Sequence, residues 1–374
     1  DPKAAERFAL KQSQAFVDQM EGFALELEDE LMNFSDVSYK SFVKSESEII
    51  TLFYDKFADI PLLSRMDAVA ETFIDEIETL LNRDLPEEER IPLIEKFQKM
   101  YETMDFYVLY NRFLKKEGYQ TLPRRPLEKR KLRYEDVYPV LYLKYRLSRQ
   151  AERSNIKHLV IDEMQDYSRL QYLIIRRMFS CKMTILGDRA QTMADQQQDV
   201  LQFLPGIFGK DLRRIEMRKS YRNTVEIASY AANLIGVTDL ELFERHGMPV
   251  LERDVTDLEA ALREAVDTLF PDEKTYETAA VIVPDEKTAE RAYLILREIL
   301  AEKDFDCEKR LSWLNRDSSS FKKGLTVTTF YLAKGLEFDQ VFSIFPKDEK
   351  REIMMQAQYI AATRALHELR VYHI

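Results

Sequence analysis

From residue 158 to the C-terminus, short apolar runs that end in a polar or acidic residue alternate with segments of helical length. The runs are HLVIDE (158–163), MTILGD (183–188), RRIEM (213–217), AAVIVP (279–284), LTVTTF (325–330), QVFSIF (340–345) and a last one at 368–373. Helical patterns fill 168–180, 222–235, 285–303 and 351–366. Strands that alternate with helices are joined by crossovers, and crossovers make the sheet parallel. The pattern predicts two α/β units divided near residues 237–250.

The part before residue 120 reads differently. Phe16, Met20, Phe23, Leu27 and Leu31 recur at spacings of three or four within 3–32, which predicts one long amphipathic helix. Ala70, Phe73, Ile74, Ile77, Leu80 and Leu81 do the same within 67–82, and 91–117 is again helical in pattern. Only Gly22 and Gly118 interrupt this third of the chain, so an all-helical module is expected, its Met and aromatic residues forming a core. It holds 14 Lys and Arg against 26 Asp and Glu, a net charge of −12, whereas the remaining residues hold 41 against 40. That step in charge predicts a domain boundary near residue 120. Just beyond it, RRPLEKRKLR (124–133) carries six basic residues and one acidic. It reads either as a solvated linker or as a contact to phosphates or an acidic partner surface.

Several function classes are excluded at this level. A chain of 374 residues accommodates two to three domains. No stretch approaches the roughly 18 apolar residues of a membrane span, and the opening DPKAAERF lacks the basic-then-apolar pattern of a secretory leader. Two cysteines cannot build a disulfide framework, which points to a reducing, cytoplasmic location. The four histidines and two cysteines show no zinc-ligand spacing. A start at Asp1 suggests an excised or processed piece.

Five short motifs carry chemistry. In LVIDEMQD the run Leu159–Ile161 is expected in a sheet, with Asp162 and Glu163 emerging at its carboxyl end, where α/β folds place ligands. One acid there can hold Mg²⁺ and a second can orient or deprotonate water. GDRAQ (187–191) follows another buried strand and offers Gln191 to a γ-phosphate or its attacking water. SYRNT (220–224) opens a helix with an aromatic beside an arginine, a pair able to stack a base and grip a phosphate. TTFYLAKGLEFD spans 328–339. QYIAATRAL (358–366) sets Arg364 among small residues, which leaves its guanidinium a clear approach to a phosphate.

DExxD, GDxxQ, SYRN, AKGLEFD and AxTRA, in this order, are the order of motifs II to VI of superfamily 1 helicases, and the chain resembles the UvrD/Rep-like group over about residues 135–374. The acidic leader, YEDVYPVLYLKYRL before motif II and DEMQDYSRLQ make it most similar to the HelD-like subgroup. Those proteins are built like helicases but act on RNA polymerase. The resemblance implies RecA-like motor domains of the P-loop NTPase fold, the first incomplete, preceded by a helical insertion. In these terms 1–120 is the insertion, 121–240 the C-terminal part of the first motor domain with motifs II, III and IV, and 241–374 the second with motifs V and VI.

It also implies ATP and Mg²⁺ as cofactors. Asp162 would hold Mg²⁺, and Glu163 would be the base for water. Gln191 would couple the γ-phosphate to the DNA-binding surface. Tyr221 would stack on adenine, and Arg222 would meet the γ-phosphate. Glu337 would bind ribose, with Lys334 and Gly335 in the same loop. Arg364 would be an arginine finger, and ATP would lie in the cleft between the α/β units. Two departures stand out. No GxxxxGK[ST] phosphate loop is present, and LPGIFGKD (204–211) is read as an ordinary turn. Tyr331 occupies the position where the family usually has histidine.

Three functions remain at this stage. One is a factor that enters RNA polymerase through its acidic insertion and releases it from nucleic acid. The second is a UvrD-like motor on single-stranded DNA, and the third an inactive domain with degenerate motifs. The first two make nucleic acid, as single-stranded DNA or a transcription complex, and RNA polymerase the expected partners. Lacking a phosphate loop, the chain alone is expected to hydrolyse little ATP.

Overall fold

A computed structural model of the chain describes residues 2–149, 155–188, 191, 200–237, 241–269, 276–302, 306–316, 318, 323–347 and 352–374. It divides into two compact units: Asp1–Gly187 with Gln198–Leu212, and Asp188–Gln197 with Arg213–Ile374.

Unit 1 opens with α1 (Pro2–Gln12) and α2 (Gln14–Glu30), where the apolar stripe predicted one helix. The break falls at Ser13, whose hydroxyl accepts from the Phe16 amide and caps the second helix. A hairpin follows, β1 (Val37–Tyr39) with antiparallel β2 (Phe42–Lys44), so the leader is not all helical. Lys40 turns it with a φ of +53°. The next helices are α3 (Glu46–Thr51), α4 (Leu62–Leu81), α5 (Glu87–Gln98) and α6 (Phe106–Lys116). The single helix expected over 91–117 is therefore two. Asp105 starts the second by accepting from the Tyr107 amide.

α7 (Tyr134–Leu147), β3 (His158–Ile161), α8 (Arg169–Met178), β4 (Lys182–Ile185) and α9 (Val200–Phe208) complete the unit. One apolar core runs from Phe16 of α2 through Phe73, Phe97 and Phe113 to Tyr142 of α7 and Leu170 and Ile174 of α8. The helical leader and the crossover helix after motif II thus share a single core. In the basic run, Arg130 pairs with Asp105 and lies over the Tyr107 ring at 4.8 Å. Arg124, Arg125, Lys129, Lys131 and Arg133 are exposed.

β3 and β4 pair in parallel, joined by α8. Ile161 packs with Tyr172, Val200, Phe203 and Leu204 on one face. Val160 points the other way and is 60 % exposed, so the expected burial of Leu159–Ile161 holds for one face only. LPGIFGKD is not a simple turn: Gly206 lies inside α9, and Gly209–Asp211 form a 3₁₀ turn.

Unit 2 contains β5 (Lys219–Ser220), α10 (Val225–Leu234), β6 (Glu241–Leu242), β7 (Leu251–Asp254) and α11 (Leu258–Asp267). It continues with β8 (Thr278–Val283), α12 (Glu286–Ala301), α13 (Cys307–Arg310), β9 (Leu311–Trp313) and β10 (Gly324–Thr329). It ends in β11 (Phe338–Phe345), α14 (Glu352–Thr363) and β12 (Ala365–His373). RRIEM is not a strand. Ile215 and Met217 are 71 % and 84 % exposed, and the nearest pairing is that of β5 with β6. A run of this kind becomes a strand only when a neighbouring backbone takes up its hydrogen bonds.

Six strands form one parallel sheet in the order β7-β12-β11-β8-β10-β9. Side chains alternate between its faces. Ala279, Val281 and Val283 of β8 pack under α11 and α12. Ala280 and Ile282 pack under α10 and α14, with Ile227, Ala357, Ile360 and Ala361. Both faces are covered, which is why the strands read as continuous apolar runs. Trp313 and Cys307 pack at the edge of the first of these layers. Among the described residues no helix is long and apolar enough to cross a membrane.

Candidate functional site

Each unit holds its own group of candidate residues. In unit 1, Asp162 and Glu163 follow β3 directly. Glu163 has φ and ψ of +50°, the left-handed region that side chains disfavour. Such a conformation costs on the order of 1–3 kcal/mol and is retained where the surroundings enforce it. The enforcement is visible. Asp162 Oδ1 accepts from the Glu163 amide at 2.8 Å, and Gln165 Nε2 donates to Glu163 Oε2 at 2.5 Å. The Met164 amide donates to the Leu186 carbonyl, and the Leu186 amide to that of Ile161, both at 2.8 Å. Motif II is thereby tied to the end of β4. Gly187 closes the arrangement: a Cβ there would lie 2.7 Å from the Met164 nitrogen.

In unit 2, the β11–β12 register pairs Phe338 with Ala365. Glu337 and Arg364, each one residue earlier, therefore sit side by side at the amino edge of the sheet. The Phe338 amide donates to the Arg364 carbonyl at 2.9 Å. Motif IV is fastened to the same place. Asn223 Nδ2 donates to the carbonyls of Thr363 at 3.2 Å and Ala365 at 2.6 Å. Arg245 donates to the carbonyls of Arg222 and Leu366. Thr224 caps α10. This brings Arg222 Nε within 2.6 Å of Glu337 Oε1. Tyr221 stays 60 % exposed with its ring centroid 5.6 Å from that of Phe243, and Lys219 Nζ lies over both rings. Lys334 and the exposed Gly335, with φ of +76°, occupy the turn between β10 and β11.

Arg364 corrects an expectation. Its small neighbours do not leave it open to an incoming phosphate: the residue is 2 % exposed. Its guanidinium donates to the carbonyls of Ile360 at 3.2 Å and Leu336 at 3.4 Å, to Thr363 Oγ1 at 3.1 Å and to Gln191 Oε1 at 3.3 Å. Small residues around it allowed close packing, and the buried donors had to find acceptors.

Gln191 and Arg364 are thus brought together, as are Arg222 and Glu337. The resemblance left Gln165, Asn223, Arg245 and Tyr359 without roles. Gln165, Asn223 and Tyr359 stand inside the quoted motifs, which was the available signal; Arg245 carried none. Donor chemistry fits the implied cofactors. Asp162 is an exposed carboxylate suited to Mg²⁺. Tyr221 offers an open ring face, and Arg222 a charged fork suited to phosphate once it leaves Glu337.

The sequence profile of the UvrD/REP helicase N-terminal domain matches residues 6–193. The chain belongs to this UvrD/REP helicase family. The match takes in the helical leader together with Asp162, Glu163 and Gln191, while the remaining site residues lie beyond it. No curated protein matched the chain. Among solved structures, the C-terminal domain of a possible DNA helicase from Lactobacillus plantarum WCFS1 is 24 % identical. The alignment covers 41 % of this chain and 88 % of that one, with a TM-score of 0.33. PRRSV helicase is 13 % identical, over 71 % of this chain and 45 % of its own, with a TM-score of 0.34. An Arterivirus nonstructural protein 10 (helicase) in complex with DNA is also 13 % identical, over 71 % and 51 %, with a TM-score of 0.32. This UvrD/REP chain spans about half the length of the two viral helicases.

Proposed function

We propose that the chain is part of an ATP-dependent superfamily 1 motor, and that it serves as a HelD-like factor releasing RNA polymerase from nucleic acid in the cytoplasm. In this reading 1–120 is the insertion, 121–240 belongs to the first RecA-like motor domain and 241–374 is the second. Among the observations, the family match over residues 6–193 carries the motor part of the proposal.

Asp162 would hold Mg²⁺, which when bound would supply charge neutralisation to the phosphates. Glu163, held by Gln165 in its left-handed turn, takes the proton of the attacking water at its carboxylate. Tyr221 stacks on the base, and Glu337 accepts from the ribose. Arg222, leaving Glu337, binds the terminal phosphate, with Lys334 and Gly335 in the adjoining turn. Gln191, in contact with Arg364, couples the γ-phosphate to the nucleic-acid-binding surface. The phosphate-binding loop and its lysine are absent from the sequence, so this chain alone turns over little ATP.

The polymerase assignment rests on charge. A leader of net charge −12 is repelled by DNA, but suits a channel built to hold nucleic acid. The alternative, a UvrD-like helicase or translocase on single-stranded DNA, is favoured by the exposed basic residues of 124–133. ATP turnover by the longest native form, with and without single-stranded DNA, decides between them. Strong stimulation by DNA selects the alternative; turnover indifferent to DNA supports the release factor. In either case Glu163→Gln abolishes turnover, and undiminished turnover in that variant refutes the motor assignment.

A further inference from the structure

Gln191 reaches Arg364 with one particular end of its amide. Its Nε2 donates to Asp188 Oδ2 at 3.0 Å, and its backbone amide donates to the Asp188 carbonyl at 3.1 Å. With the nitrogen engaged there, Oε1 faces Arg364 Nη2 at 3.3 Å. The reversed amide would set NH₂ against a guanidinium, donor against donor. Asp188 therefore decides which end of Gln191 the arginine meets.

Asp188 is itself held from α14. Tyr359 Oη donates to Asp188 Oδ2 at 3.0 Å. Burial, and then the Asp188 charge, push the Tyr359 hydroxyl well above its ordinary value, so it keeps its proton and remains a donor at neutral pH. Tyr359 in α14 and Arg364, the residue after its end, grip the GDRAQ segment at Asp188 and Gln191. Neither spacing nor composition singled out this tyrosine.

We infer that Tyr359 is a positioning residue: its hydroxyl fixes Asp188 so that Gln191 presents its carbonyl oxygen to Arg364. The inference rests on the proposed nucleotide role of Gln191 and Arg364. Tyr359 touches neither nucleotide nor water in this scheme and acts only through Asp188 and Gln191. Removing the hydroxyl loosens Asp188 and with it the Gln191 amide that Asp188 holds, which spoils the chemical step more than nucleotide affinity.

The test compares Tyr359→Phe, Gln191→Ala and the double variant in the longest native form of the protein, with Mg-ATP as the probe. Tyr359→Phe should lower kcat about tenfold, the worth of one hydrogen bond, with KM changed less than about twofold. In the Gln191→Ala background it should lower kcat no further. The same three variants are unfolded in urea, where coupling between the two substitutions is expected as well. Effects that simply multiply in kcat, or a change in KM alone, overturn the inference. A wild-type protein without turnover overturns the nucleotide reading instead. The urea cycle then decides the role of Tyr359 by itself: coupling upholds it, and additivity overturns it.

Discussion

Arg222 Nε and Glu337 Oε1 lie 2.6 Å apart, joining the turn before α10 to the turn before β11. Both side chains are partly exposed, so the pair is worth no more than about 1 kcal/mol. It can open for a ligand at little cost. Glu337→Gln is expected to leave thermal unfolding nearly unchanged, while weakening the preference for ATP over inorganic triphosphate in a binding titration. A large loss of stability would show that the pair is structural.

Gly187 meets the turn of motif II with no room for a methyl group. Gly187→Ala should cost about 1–3 kcal/mol through overpacking, and should displace the Glu163 turn that the Leu186 carbonyl supports. Urea unfolding measures the first effect. ATP turnover in the longest native form measures the second, and unchanged values in both would contradict the close approach.

Asn223 spans two carbonyls at the junction of α14 and β12. Its removal leaves the buried Ala365 carbonyl short of a donor, a loss of about 1–3 kcal/mol. Asn223→Ala should destabilise by that amount, and Asn223→Asp by more, since it sets an acceptor against acceptors. Equal stabilities by urea unfolding would remove Asn223 from this role.

Lys11, Asp136 and Tyr110 form a buried polar group in unit 1. Lys11 Nζ pairs with Asp136 Oδ1, which also accepts from Tyr110 Oη at 2.8 Å. Lys11→Met alone strands a buried carboxylate and should cost about 3–5 kcal/mol. The double change Lys11→Met, Asp136→Leu should recover much of that loss. If the double variant is the less stable of the two, the pair contributes attraction beyond its desolvation cost.

Glu226 accepts from His246 and from the Gly247 amide, and these bonds hold its carboxyl down at about 2 from an ordinary 4.5. A depressed folded value means that the contribution is complete above pH 4.5 and is lost as pH falls toward 2. Acid unfolding of Glu226→Gln, compared with the native chain, should therefore show a weaker pH dependence across that window. Identical acid curves would sink the prediction.

The sheet of unit 2 was legible because both its faces are buried. Runs such as AAVIVP and QVFSIF have no polar side to confuse the pattern, and their ends fall within two residues of β8 and β11. RRIEM alternates apolar with charged residues without becoming a strand, because pairing depends on a partner backbone that local sequence does not encode. The break at Ser13 was equally hidden: the stripe begins only at Phe16, and nothing in the pattern shows one hydroxyl competing for the Phe16 amide. In the site, the motifs carried the chemical types but not their state. Arg364 stood out as a cation among small residues, yet those residues bury it.

The sequence alone determined the alternation of strands and helices in the second half of the chain, the chemical types of the motif residues and the acidity of the leader, since these follow from local pattern and charge. Tertiary structure decided which of those residues meet. The β11–β12 register set Glu337 beside Arg364 at the sheet edge. The fold also gave Arg222 a carboxylate partner, and placed Gln191 between Asp188 and Arg364. Contacts between distant segments depend on backbone register and on where buried donors find acceptors, and neither is written in any single stretch of the chain.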